Sequence, residues 1–188
     1  MEAFITSTMT VSLAEIGDKT QLLALFLTTR FRNKWGIVCG ILVATLLNHA
    51  VSAWVGQWLG QFFAGTTGQV MIGISFIALG LWLLIPDKEE DGESNLDRYG
   101  AFVVSTVLFF LAEIGDKTQI ATVLLGAEFR DVLWVTLGTT LGMLLANVPV
   151  VFAGRYLMER MPIHLAHLAA SLLFVAIGIY QVAEALWP

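Results

Sequence analysis

Apolar residues run almost without a break through six stretches of this chain, roughly residues 4–29, 35–59, 66–85, 100–126, 132–154 and 163–186. A helix crosses a bilayer core in about 20 residues, so each stretch is long enough for one span. The stretches lack the strict alternation of barrel strands and are rich in Leu, Ile, Val, Ala and Gly, the mixture of helices packed in lipid. The pattern predicts an all-α integral membrane protein with six transmembrane helices. Ahead of the first stretch stands Glu2 with no Lys or Arg. A cleavable leader carries positive charge there, so this segment is expected to be retained.

The polar residues between the stretches give the orientation. Arg30, Arg32, Lys34, Lys88, Arg98, Arg155 and Arg160 follow the first, third and fifth stretches, whereas the opposite side holds only Arg130. Cytoplasmic loops carry the excess of Lys and Arg, which places both termini on the non-cytoplasmic side. The central loop, residues 86–99, is then cytoplasmic. It holds Asp87, Glu89, Glu90, Asp91, Glu93 and Asp97 among Pro86, Gly92, Ser94 and Asn95, and reads as a solvated acidic linker, with calcium sensing as a second reading.

Composition agrees with a lipid solvent. The chain has 188 residues, 57% of them hydrophobic and 13% charged, with a mean hydropathy of +0.77; soluble domains are about 25% charged. The net charge of −5 resides largely in the linker and gives no nucleic-acid footprint. The single cysteine, Cys39, excludes an intramolecular disulfide and a thiolate metal cluster.

Residues 14–21 read AEIGDKTQ, and residues 112–119 read AEIGDKTQ again, an offset of 98. The same offset pairs Phe31-Arg32 with Phe129-Arg130, Gly40 with Gly138, Gly56 with Gly154, and residues 76–82 with 174–180. The chain therefore divides into a first three-helix repeat (1–85), the acidic cytoplasmic linker (86–99) and a second three-helix repeat (100–188). Three spans per copy is an odd number, so the second copy enters the membrane from the other side. Two inverted repeats are the architecture of secondary transporters, whose site lies near the midplane where the repeats meet.

Each motif falls about midway along its stretch. Six ionisable groups (Glu15, Asp18, Lys19, Glu113, Asp116, Lys117) at that depth each cost at least ~2.5 to 3.5 kcal/mol unless paired, hydrated or bound to something. On a continuous helix, Glu15, Asp18, Lys19 and Gln21 share one face and Thr20 points away to bond backbone or pack. Gly17 and Gly115 inside the motifs lower the cost of unwinding a turn, which would free carbonyls as further oxygen ligands. Two facing motifs, with the lysines charged, sum to −2 and balance one divalent ion. The candidate metal ligands are Glu15, Asp18, Gln21, Glu113, Asp116 and Gln119, all oxygen donors that favour Mn²⁺, Ca²⁺ or Mg²⁺ over copper or zinc. Lys19 and Lys117 are candidate charge gates. Metal and protons would compete for the same carboxylates, the chemical basis of an exchanger. The competing reading is purely structural, with Glu15–Lys19 and Glu113–Lys117 as buried i,i+4 ion pairs, but such pairs stabilise little for their desolvation cost and leave Asp18 and Gln21 unexplained.

Asn48, His49 and Asn147 sit inside the second and fifth stretches, beside Pro149. They are candidates to line the ion path, with interhelical hydrogen bonding or packing as the first reading for each. Asn147 misses the register of Asn48 by one residue, and His49 has no partner in the second half. His164 and His167 lie by an interface, where a surface metal site is a minor reading. Gly36, Gly40 and Ala44, like Gly138, Gly142 and Ala146, form small-xxx-small seams for close helix packing, with a homodimer contact as the second reading. Trp35, Trp54, Trp58, Trp134 and Trp187 fall near predicted ends as interfacial anchors. No nucleophile with a base and no cofactor motif appears, so neither an enzyme nor a resident cofactor is expected.

With AEIGDKT present twice on inverted halves, the chain resembles the cation/proton exchanger family marked by E-x-G-D-[KR]-[TS], known from Golgi, thylakoid and bacterial membranes. The likeness covers the whole chain, and both motifs fit without departure. It implies that the essential acids correspond to Glu15, Asp18, Glu113 and Asp116, and that the substrates are a divalent metal ion and protons. Small bacterial members are similar to manganese exporters, which promotes Mn²⁺ over Ca²⁺ and implies a bacterial inner membrane. The expectation is a Mn²⁺/H⁺ antiporter that exports metal. An exporter of a basic amino acid or other organic cation is the alternative, followed by an ion channel or structural subunit.

Overall fold

The computed structural model describes residues 1–62, 65–85, 99–154, 156 and 163–187. Among these residues the chain is all-helical, with eight helices: α1 (Glu2–Glu15), α2 (Lys19–Arg30), α3 (Lys34–Phe62), α4 (Thr66–Trp82), α5 (Gly100–Glu113), α6 (Lys117–Phe129), α7 (Val132–Ala153) and α8 (Ile163–Leu186). Three are long and apolar enough to cross a membrane, namely α3, α7 and residues His164–Leu186 of α8; α4 and α5 are apolar but shorter. Residues 86–98 of the expected linker lie outside the described residues, as do the basic residues Arg155 and Arg160.

The first and fourth apolar stretches each fold as two helices. Ile16 leaves the helical region (φ −67°, ψ 116°), Gly17 takes φ 83°, and the Asp18 N–H donates to the Glu15 carbonyl at 3.2 Å. The second motif does the same: Ile114 has φ −65° and ψ 120°, Gly115 has φ 77°, and Asp116 N–H reaches Glu113 O at 3.2 Å. An extended residue followed by one at positive φ, closed by an i to i+3 hydrogen bond, is a type II turn, which wants glycine in third place. The repeated glycine thus breaks each helix at the same point.

The packing exchanges elements between the halves. The broken pair α1 and α2 leans on α7, while α5 and α6 lean on α3; α3 and α7 also meet, and α4 packs on α8. Glycines make these approaches close. A Cβ on Gly40 would stand 2.6 Å from the Cβ of Ser105 and 2.8 Å from the Phe102 carbonyl. Its repeat mate Gly138 would meet Phe4 O at 2.6 Å and Ser7 Cβ at 2.9 Å, residues 98 positions before Phe102 and Ser105. The seam glycines Gly40 and Gly138 therefore pack against the other half of the same chain. Phe76 and Phe174, also equivalent at this offset, stack 6.0 Å apart between α4 and α8.

The outside of the bundle is apolar. Leu47, Val51, Leu111, Leu145, Leu172 and Ile179 are exposed, together with all five tryptophans named above, whereas Ser7, Thr10, Thr45, Asn48, His49, Ser105, Thr139 and Asn147 are buried. Polar residues inside and large apolar residues outside is the arrangement a lipid solvent demands.

Candidate functional site

The two helix breaks build the site. Glu15 ends α1 and Asp18 is the N-cap of α2; Glu113 ends α5 and Asp116 is the N-cap of α6. Each break gathers free carbonyls from one helix and free N–H groups from the next, so α2 and α6 present their positive ends beside the carboxylates. Glu15 and Glu113 are fully buried and Asp116 nearly so. One oxygen from each of the three lies within 4.8 Å of the others. Since Glu15 comes from the first half and the other two from the second, the cluster is a product of both.

The surrounding contacts cross between halves as well. Glu15 accepts hydrogen bonds from the Thr20 hydroxyl of its own half and from the Thr118 hydroxyl of the other. Lys19 Nζ lies 3.1 Å from Asp116 Oδ1, and Asp116 also accepts from the Thr118 N–H at 3.4 Å. Asp18 faces Lys117 and Thr118 across a cavity of about 10 Å³ that His167 also lines. The Lys117 ammonium donates to the Ile85 carbonyl at 2.6 Å and stands 5.8 Å from the centre of the Trp82 ring. Among the described residues neither oxygen of Glu113 has a hydrogen-bond partner. Its neighbour is His49, with Nε2 3.7 Å from Glu113 Oε2.

Several expectations change because the helices break. A continuous helix turns Thr20 away from Glu15; the turn at Gly17 brings the Thr20 hydroxyl onto the Glu15 carboxylate. Thr118, the counterpart of Thr20 in the second motif, also enters the site, but on Glu15 of the other half; the sequence signal is only that a threonine follows the lysine in each motif. The i,i+4 ion pairs presuppose an unbroken helix, whereas Lys19 opens α2 and pairs across the halves with Asp116. Gln21 is committed at both ends: its Oε1 accepts from the Gly17 N–H at 2.8 Å and its Nε2 donates to the Ala146 carbonyl at 2.8 Å. Gln119 accepts from the Gly115 N–H at 2.7 Å. In this arrangement the amides hold the turns in shape.

Of the path-lining candidates, Asn48 donates from α3 to the Phe110 carbonyl of α5 at 3.0 Å, the interhelical bond expected. Asn147 does not; its amide reaches one turn back to Met143 O at 3.1 Å, leaving Oδ1 without a partner. The offset of 98 pairs His49 with Asn147, so the second half does hold a counterpart to the histidine, of different chemistry. His164 is exposed and lies outside the acidic cluster.

Buried acids from both halves, meeting at helix breaks inside a bundle with an apolar exterior, fit a membrane transport protein. A family model described as the divalent cation/proton antiporter GDT1 matches residues 3–91 and again residues 101–187. The chain belongs to this family. It is 47% identical over 180 residues to a Vibrio cholerae protein named "Putative manganese exporter", covering 95% of this chain and 90% of that one. It is 26% identical to a GDT1-like protein of Synechocystis, covering 95% and 96% of the two chains. Against the divalent cation/proton antiporter GDT1 of Saccharomyces cerevisiae the identity is 23%, over 98% of this chain and 85% of that one. No solved structure matches.

Proposed function

We propose that this protein exports a divalent cation, Mn²⁺ before Ca²⁺, in exchange for protons, through one carboxylate site shared by two inverted three-helix repeats. The observation that carries the reading is the convergence of Glu15 with Glu113 and Asp116 within 4.8 Å. Ligands about 2.1 Å from a common ion lie roughly 3 to 4 Å apart, so a small inward movement of these oxygens suffices to hold one ion. Asp18, in the equivalent place to Asp116, completes the acids. The family's cation and proton substrates and the name of the Vibrio cholerae relative support manganese as cargo.

Exchange follows from the ligands. Carboxylates must be deprotonated to bind metal, so metal binding releases protons and acidification releases metal. Lys19 on Asp116 holds a positive charge where the metal would otherwise sit, which suits a resting or proton-return state. Alternation between sides would come from rocking of one half against the other, with α3 and α7 as the elements on which the opposite broken pairs rest. The count of Lys and Arg supports a six-span chain in a bacterial inner membrane with both termini on the non-cytoplasmic side.

The test is metal-driven proton movement in proteoliposomes for the native chain, Asp18→Asn and Asp116→Asn, with Mn²⁺, Ca²⁺ and Mg²⁺. Manganese-driven proton flux that both substitutions abolish is the expected result. Absence of flux with every metal, or flux that survives both substitutions, overturns the proposal.

A further inference from the structure

We infer that His49 is a nitrogen ligand of the transported ion and the residue that discriminates manganese from calcium. The inference rests on the proposed carboxylate site and adds a donor of a different kind to it.

His49 and Glu113 are both fully buried, and none of their four side-chain polar atoms has a hydrogen-bond partner among the described residues. Buried polar groups left unmade in this way are rare and costly, and each calls for a partner. They do not serve each other, because 3.7 Å between Nε2 and Oε2 is too long for a hydrogen bond. It is the separation of two donors that share one ion, roughly 3 to 4 Å. Glu113 is also one of the three acids whose oxygens gather within 4.8 Å. His49 is not a member of that group and touches it only through Glu113, so the imidazole reaches an ion held there by a movement of the ring or of the Glu113 carboxylate.

The repeat makes the point sharper. The position equivalent to His49 is Asn147, whose amide nitrogen is committed to Met143. Glu15, the mate of Glu113, is satisfied by Thr20 and Thr118. One glutamate therefore has two hydroxyl donors and the other has none, only a neighbouring ring nitrogen. The symmetric sequence motif sits in an asymmetric site whose open side faces His49. Calcium takes oxygen ligands almost exclusively, whereas Mn²⁺, which also favours oxygen donors, belongs to the first-row series that binds mixed nitrogen and oxygen sites, as the weakest member of that series. A mixed set of carboxylates and one imidazole accepts Mn²⁺ and penalises Ca²⁺.

Pulsed electron paramagnetic resonance on Mn²⁺ bound to the full-length protein in nanodiscs reads the bond directly. The native chain should show ¹⁴N coupling to the metal, replaced by a ¹⁵N pattern when histidine alone is isotopically labelled. His49→Gln should lose the coupling while Mn²⁺ still binds, whereas His167→Gln should keep it. The preference for Mn²⁺ over Ca²⁺ should fall at least roughly tenfold in His49→Gln, a loss that even outer-sphere partners of a metal can cause. Mn²⁺ that binds and is lost in Glu113→Gln, yet shows no nitrogen coupling, overturns the role of His49 and leaves the carboxylate site standing. Absence of saturable Mn²⁺ binding by the native chain overturns both. The labelled native protein decides the question even where His49→Gln fails to fold.

Discussion

Lys19 of the first half and Asp116 of the second form an ion pair across the repeat interface, 3.1 Å from nitrogen to oxygen. The two residues sit at adjacent positions of the same repeated motif, since Asp116 is the counterpart of Asp18, yet each finds its partner in the other copy. The pair therefore ties the ligand geometry to the relative placement of the halves, and a cation arriving at Asp116 has to displace an ammonium already there.

That competition predicts the behaviour of Lys19→Ala. The lysine is about one-third exposed, so the pair falls in the range of about 0.2 to 1 kcal/mol, and its removal should tighten Mn²⁺ binding by about 1.4- to fivefold. Turnover should slow, because the empty carboxylates lose the charge that replaces the metal during return. A binding titration alongside initial transport rates checks both, with Lys19→Arg expected to stay near native. Unchanged affinity and rate would remove Lys19 from the mechanism.

The helix break makes a second prediction. Gly115 has φ 77°, and a Cβ there would meet nothing within 4 Å, as is also true of Gly100 at φ 76°. Alanine at either position thus costs backbone strain alone, about 1 to 2 kcal/mol. Gly100→Ala should lower thermal stability and leave transport intact. Gly115→Ala should lower stability by a similar amount and abolish transport, since relieving the strain re-aims Glu113 and Asp116. Equal transport in the two variants would mean that the turn is not part of the site.

Gln21 offers a third. Its amide closes the Gly17 turn and grips the Ala146 carbonyl of α7. Gln21→Ala removes a part-buried bond from the Gly17 N–H and a buried one to the Ala146 carbonyl, a loss of about 1 to 3 kcal/mol. The variant should be less stable and slower while still binding one Mn²⁺ per chain. Loss of the ion with full stability would instead make Gln21 a ligand.

How far the sequence could be read depended on whether each inference needed a straight helix. The exact repeat, the buried acids and the weak point at Gly17 and Gly115 are all visible in the order of residues, and so is the seam at Gly40 and Gly138. Counting 100° per residue through the motif misplaced Thr20, because the count ignores the turn that its own glycine permits. The cross-repeat contacts were out of reach for a different reason. Lys19 with Asp116 and Thr118 with Glu15 depend on how two halves pack, and the periodicity of one helix holds no information about its partner. His49 lay between these cases: the register pairs it with Asn147, but its approach to Glu113 emerges only once α3 is seen against α5 and α6.

The most direct test of a single shared site is the number of Mn²⁺ ions bound per chain, measured by equilibrium dialysis on the native protein, Glu15→Gln and Glu113→Gln. The account predicts one ion per native chain and loss of that ion in either variant, since each half supplies ligands the other lacks. Two ions per native chain, with one retained in each variant, would show that the halves bind metal independently and would contradict it.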